Sequence, residues 1–113
     1  MNKPQDSTQN KFNIRVVKWE KDSLITQEEA EARLQLEGYH SFCWYDVPGS
    51  SYPKHRHSYD ECIWILKGEI HFIIEEMTFI LKRGDRIYLP AKTPHIVQVP
   101  ISNSVTYLIG QKN

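Results

Sequence analysis

The chain has 113 residues, 40% of them hydrophobic, and its fourteen basic and fourteen acidic side chains leave a formal net charge of zero. This is the size of one domain with a modest core. Balanced charge argues against binding a nucleic-acid backbone, which needs a basic excess or stripe, and no apolar run approaches the roughly 20 residues of a membrane-spanning helix.

Residues 1–11, MNKPQDSTQNK, are polar throughout and read as a disordered tail ahead of a single domain over 12–113. They lack the apolar core of a secretory signal, so the expected compartment is the cytoplasm. Cys43 and Cys62 are then expected as free thiols, being too far apart for a CxxC pair and too few for a disulfide framework. FNIRVVKWE (12–20) reads as a short strand whose apolar content is Val16, Val17 and Trp19. TQEEAEARLQLEG (26–38) reads as a helix: Thr26 and Glu29 have capping-box spacing, acidic residues crowd the first turns, and Gly38 stops it. Its apolar residues form two i, i+4 pairs, Ala30 with Leu34 and Ala32 with Leu36, interrupted by Arg33. Such a narrow stripe suits a helix lying on a sheet.

From residue 39 the pattern changes to strands. HSFCWYDV (40–47), KHRH (54–57), ECIWILK (61–67), IHFIIE (70–75), TFILK (78–82), RIYLP (86–90), HIVQV (95–99) and VTYLIG (105–110) are separated by turn residues at Pro48-Gly49, Gly68, Gly84-Asp85, Pro90, Pro94 and Asn103. Strands of this length and spacing predict an all-β sandwich or barrel. Two of them, 62–66 and 70–74, are apolar at nearly every position, whereas a strand with one wet face alternates. Their outer faces, marked by Trp64 and Phe72, therefore need a cover from the helix, another sheet or a second subunit. Intramolecular cover and a homodimer interface answer this equally well, and a homodimer is kept among the expectations.

The chemistry concentrates in GSSYPKHRHSYDECIWILKG (49–68), which places His55, His57 and Glu61 within seven residues. On extended chain, His55 and His57 share one face, roughly 7 Å apart. They read either as solvated polars beside Lys54 and Arg56 or as converging ligands. Imidazoles and a carboxylate together suit a divalent ion. His95 is the candidate fourth ligand, opening a strand where Pro90 and Pro94 restrict the backbone. Cys62, the strand neighbour of Glu61, is expected to point the other way, into packing. Asp46 and Gln98 are candidates to receive an imidazole N–H, and Asp60 is expected to be solvated. Trp44, Tyr52, Tyr59, Tyr88 and Tyr107 are expected mainly as packing, with His40 and His71 outside the pattern.

The spacing Gly49, five residues, His55, one, His57, three, Glu61, six, Gly68 matches the first signature of the cupin superfamily. Gly84, five residues, Pro90, four, His95 is similar to the second, and fifteen residues separate the two. The resemblance implies a single-domain cupin: a small β-barrel of jelly-roll type with a metal held inside by His55, His57, Glu61 and His95. Two positions depart from the family pattern, Lys92 replacing a glycine and Val99 an asparagine. A lysine forced to positive φ costs about 1 kcal/mol, so the turn carrying Lys92 is either strained or differently shaped.

Three neutral imidazoles and one carboxylate leave a divalent ion with a residual charge of about +1, and a six-coordinate ion keeps two positions open. Such a site favours a small anionic or chelating oxygen ligand, such as a carboxylate, enediol or diketone. The expected cofactor is one divalent ion, Fe, Mn, Ni or Zn, and the expected partner is a small molecule in the barrel, with neither nucleic acid nor membrane. The leading functional expectation is an enzyme of dioxygenase, isomerase or lyase class acting on a small organic acid. With Glu61 a ligand, a general base would have to be metal-bound hydroxide or a tyrosine such as Tyr52 or Tyr107. The alternatives are a non-catalytic ligand-sensing module, or a barrel braced by a purely structural metal.

Overall fold

The alternating and continuous apolar runs from residue 40 onward become two antiparallel sheets in the structure, a computed structural model that describes residues 12–113. The expected tail, 1–11, lies outside the described residues. The elements in chain order are β1 (Arg15–Val17), α1 (Gln27–Leu36), β2 (His40–Asp46), β3 (Ser51–His55), β4 (Asp60–Lys67), β5 (Glu69–Ile74), β6 (Met77–Lys82), β7 (Arg86–Leu89), β8 (His95–Gln98) and β9 (Val105–Lys112). One sheet has the order β1-β7-β4-β9-β2 and the other β3-β8-β5-β6. The architecture is the expected all-β jelly-roll type with one short helix. Each sheet pairs only within itself, so the barrel is not closed by hydrogen bonds. No helix is long and apolar enough to cross a membrane among the described residues.

Most strands fall within a residue or two of their expected bounds, and two differ by more. The segment expected over 12–20 forms strand only at Arg15–Val17. Beyond it, the Trp19 N–H is held by the Asp85 carboxylate at 2.8 Å, and the ring packs over Gly84. A Cβ at Gly84 would meet Trp19 Cγ at 2.3 Å, and its φ of +90° is one that only glycine adopts freely. The strand expected over 54–57 runs instead over Ser51–His55, so His57 lies in the connection to β4.

β4 explains the continuous apolar run. Its alternate side chains enter two different cores. Ile63 and Ile65 join Ile70, Phe72, Ile87 and Val97 between the sheets. Cys62, Trp64 and Leu66 join Ala30, Leu34 and Leu108 under the helix. The cover over Trp64 is thus the chain's own helix, and Phe72 points into the inter-sheet core. Neither residue, 5% and 2% exposed respectively, has a face left for a second subunit. The Trp64 indole N–H also donates to the Gly84 carbonyl at 2.8 Å, and the Arg86 guanidinium lies 4.1 Å over its ring.

The helix forms as its cap residues dictate. Thr26 Oγ1 accepts from the Glu29 N–H, and Glu29 Oε1 accepts from the Thr26 N–H at 3.0 Å. Only the Ala30–Leu34 pair is buried on the sheet, while Leu36 is 84% exposed.

Candidate metal centre

The site lies between the sheets, with His55 and His95 from one, Glu61 from the other, and His57 from the connection between them. His55 ends β3 and His95 opens β8, and the antiparallel register sets them directly opposite each other. Their ring centroids are 4.3 Å apart. His57, two residues beyond His55, is fixed by its own backbone: its carbonyl accepts from the Lys92 N–H at 2.6 Å. The two sequence motifs therefore meet in one hydrogen bond. Lys92 makes it at φ +69°, so the lysine does take the strained geometry.

The ring nitrogens are sorted by their partners. His55 Nδ1 lies 2.7 Å from the Pro53 carbonyl and His95 Nδ1 2.8 Å from the Thr93 carbonyl. A carbonyl only accepts, so each Nδ1 carries the proton and each Nε2 keeps its lone pair. His57 Nδ1 meets the Tyr59 hydroxyl at 3.1 Å, and Gln111 donates to the same hydroxyl at 3.3 Å. One nitrogen from each of the three rings lies within 4.8 Å of the others.

Glu61, the second residue of β4, faces these rings from the opposite sheet. Its carboxylate oxygens lie 3.7 Å from His57 Nε2 and 3.9 Å from His95 Nε2, beyond hydrogen bonding. Two ligands on one ion at about 2.1 Å lie about 3 to 4 Å apart, so these separations suit a shared ion. Burial pushes the Glu61 carboxyl up to about 7 and the His95 imidazole down to about 4. Burial, and next the neighbouring His55, lowers His57 as well. Low-lying imidazoles stay neutral and ready to ligate. The buried carboxylate has no cation beside it among the described residues, which a divalent ion would supply. The three histidines thus fit a metal by donor type and spacing, two of them with Nδ1 committed to a carbonyl, and Glu61 faces His57 and His95 across the cavity.

All four line a cavity of about 270 Å³ whose other walls include Phe42, Trp44, Tyr52, Tyr59, Phe72 and Tyr107. Of the aromatic residues expected as packing, only Tyr88 stays out of it, hydrogen-bonded to Glu37 at 2.8 Å. Three further expectations are corrected. Asp46 serves no imidazole: it accepts from Tyr52, Tyr107 and Trp44 at 2.5, 2.6 and 3.1 Å. Gln98 is exposed on β8, and the histidine partners are instead backbone carbonyls and Tyr59. Asp60 is not simply solvated, because its carboxylate accepts the Ala91 N–H at 2.8 Å. His40 is exposed and His71 is paired with Glu69 at 2.6 Å, both outside the site as expected.

A family model for the cupin domain matches residues 44–109. The chain is a cupin. Solved structures agree on the fold. A cupin 2 domain-containing protein from Halorhodospira halophila superposes with a TM-score of 0.66 at 14% identity, over 88% of this cupin and 75% of that chain. A cupin from Bacteroides fragilis gives 0.60 at 18%, over 89% and 85%. The polyketide cyclase RemF from Streptomyces resistomycificus gives 0.60 at 20% identity, over 65% of this cupin and 53% of that chain, so the match spans about half the cyclase. No curated protein matches the sequence.

Proposed function

We propose that His55, His57, Glu61 and His95 hold one divalent ion, drawn from Fe, Mn, Ni and Zn, and that the cavity beside it is the active site of a small-molecule enzyme of dioxygenase, isomerase or lyase class. The observation that carries this reading is the meeting of three imidazoles, two with Nδ1 committed to backbone carbonyls, with a buried carboxylate across the inter-sheet cavity. A bound ion would supply Lewis-acid polarisation of a ligand oxygen or, as iron, dioxygen chemistry.

The chain's own residues do the remaining work. The Pro53 and Thr93 carbonyls keep the His55 and His95 tautomers fixed, and Tyr59 with Gln111 orients His57. Ile63, Phe72 and Val97 line the cavity with apolar surface, which strengthens electrostatic contacts by excluding water. Tyr52 and Tyr107 are poor bases. Both hydroxyls are pushed above their ordinary value, Tyr52 chiefly by its bond to Asp46 and Tyr107 chiefly by burial. They hold their protons, which favours reactions the metal itself can drive. The room beside the four donors favours a ligand-binding centre over a metal that only braces the fold.

The test is reconstitution with each ion in turn, followed by titration with small chelating acids and diketones and, for the iron form, oxygen uptake. Binding that requires the ion, with turnover of at least one ligand class, is the expected result. An ion that binds and stabilises while no acid or diketone binds would establish the structural-metal alternative.

A further inference from the structure

The cavity has a second polar region, built on Asp46 and separate from the histidines. Asp46 is 5% exposed, yet no cationic side chain pairs with it among the described residues. Its carboxylate is held by donors from three strands: Trp44 on its own β2, Tyr52 on β3 and Tyr107 on β9. A carboxylate only accepts, so both phenol protons are directed at Asp46. Each phenol oxygen then offers lone pairs and no proton, and Tyr52 and Tyr107 both line the cavity. Tyr52 receives one long contact from Trp44 Nε1, at 3.4 Å, and Tyr107 has no second polar partner among the described residues. A ligand oxyanion at this wall would meet only lone pairs, whereas an O–H or N–H would find acceptors backed by a buried negative charge. Phe42 and Trp44, packed edge to face at 6.3 Å, also line this cavity.

The backbone shows how the two regions come to share a cavity. Tyr52 and His55 are three residues apart on β3, a spacing that puts side chains on opposite faces of a regular strand. The β3–β8 register shifts between Tyr52 and His55, and this irregularity, in the stretch that holds Pro53, returns both to the same cavity. Three residues of strand span roughly 10 Å.

We infer that the ligand is bipolar: a short acid whose carboxylate faces the metal centre and whose far end carries a hydroxyl or ammonium donor received by Tyr52 and Tyr107. The assignment of the carboxylate end rests on the proposed function above. A hydrogen bond of this kind contributes on the order of 1 kcal/mol or more, so a tenfold preference is the expected scale.

The experiment titrates metal-loaded protein, its loading checked by elemental analysis, with ω-hydroxy, ω-amino and unsubstituted straight-chain carboxylates of three to six carbons, read by calorimetry. At the best length a donor-bearing acid is expected to bind at least about tenfold more tightly than its unsubstituted match, and Tyr52→Phe to narrow that ratio to within about twofold. A preference for the amine identifies the Asp46 charge as the attraction, and a preference for the alcohol identifies the neutral acceptors; either supports the proposal. Unsubstituted acids that bind as tightly as the substituted ones overturn the bipolar ligand and leave the metal-centred reading standing. If no carboxylate binds the loaded protein, the bipolar acid falls, and the chelating acids and diketones of the reconstitution test decide the metal-centred reading separately. Should Tyr52→Phe fail to fold, the comparison of ligands on wild type still decides.

Discussion

Glu61→Gln should stabilise the metal-free protein while impairing its loaded form. Glu61 is 7% exposed, and burial raises its carboxyl from an ordinary 4.5 to about 7. A folded-state value above the unfolded one means that the native chain holds this proton to higher pH. The penalty is therefore absent well below pH 4.5, grows as pH rises through the window from 4.5 to about 7, and is complete above it. Linkage between those two values gives a penalty of about 1 kcal/mol at pH 5 and about 3 kcal/mol at pH 8. Glutamine keeps the shape and never ionises, so it escapes the penalty. In chelator-stripped protein, urea unfolding should show Glu61→Gln gaining over wild type by about 2 kcal/mol more at pH 8 than at pH 5, or about 8 °C in Tm. Added ion should reverse the order. At about a hundredfold excess over its Kd it contributes about 2.7 kcal/mol to wild type, and less to a variant lacking the anionic ligand. A stability difference that stays flat from pH 5 to pH 8 would refute the view of Glu61 as a desolvated carboxylate awaiting a cation.

Trp64→Ala empties a buried site under the helix and deletes its bond to Gly84 and its contact with Arg86. It should cost about 3–5 kcal/mol by denaturant unfolding and leave the sedimentation coefficient of the folded protein unchanged. A changed oligomeric state would show that this face meets another subunit after all. Lys92→Gly relieves about 1 kcal/mol of positive-φ strain and returns part of it as unfolded-state entropy. A Tm higher by about 2 °C is expected from calorimetry, and a lower Tm would mean that the lysine side chain stabilises the turn.

The parts of the site that are close in sequence, or fixed by motif spacing, are legible in the residues alone. His55, His57 and Glu61 lie within seven residues, and the rule that strand neighbours oppose each other puts Cys62 under the helix once Glu61 faces inward. The strands themselves follow from turn residues and apolar runs. Long-range meetings are not legible. Asp46 and Tyr107 are 61 residues apart, and Tyr59 and Gln111 are 52 apart. No local pattern marks an aspartate as the acceptor for three aromatic donors rather than for an imidazole. The Tyr52–His55 irregularity is equally silent, since a regular strand would send one of the two away from the cavity. The cover over Trp64 is ambiguous in sequence for a related reason: an apolar strand reads the same whether a helix or another subunit lies on it. Phe42 and Trp44 give no local sign of their role either, because the strand that carries them becomes a cavity wall only when β3 folds across from it.

Metal content is the most direct test. Tag-free wild type and His57→Ala, expressed in metal-balanced medium, would be compared by elemental analysis, with far-UV circular dichroism confirming that both are folded. Close to one divalent ion per wild-type chain is expected, with a severe loss in a variant that keeps its strands. Equal metal in both proteins, or none in either after reconstitution, would contradict the four-residue centre on which the proposed function stands.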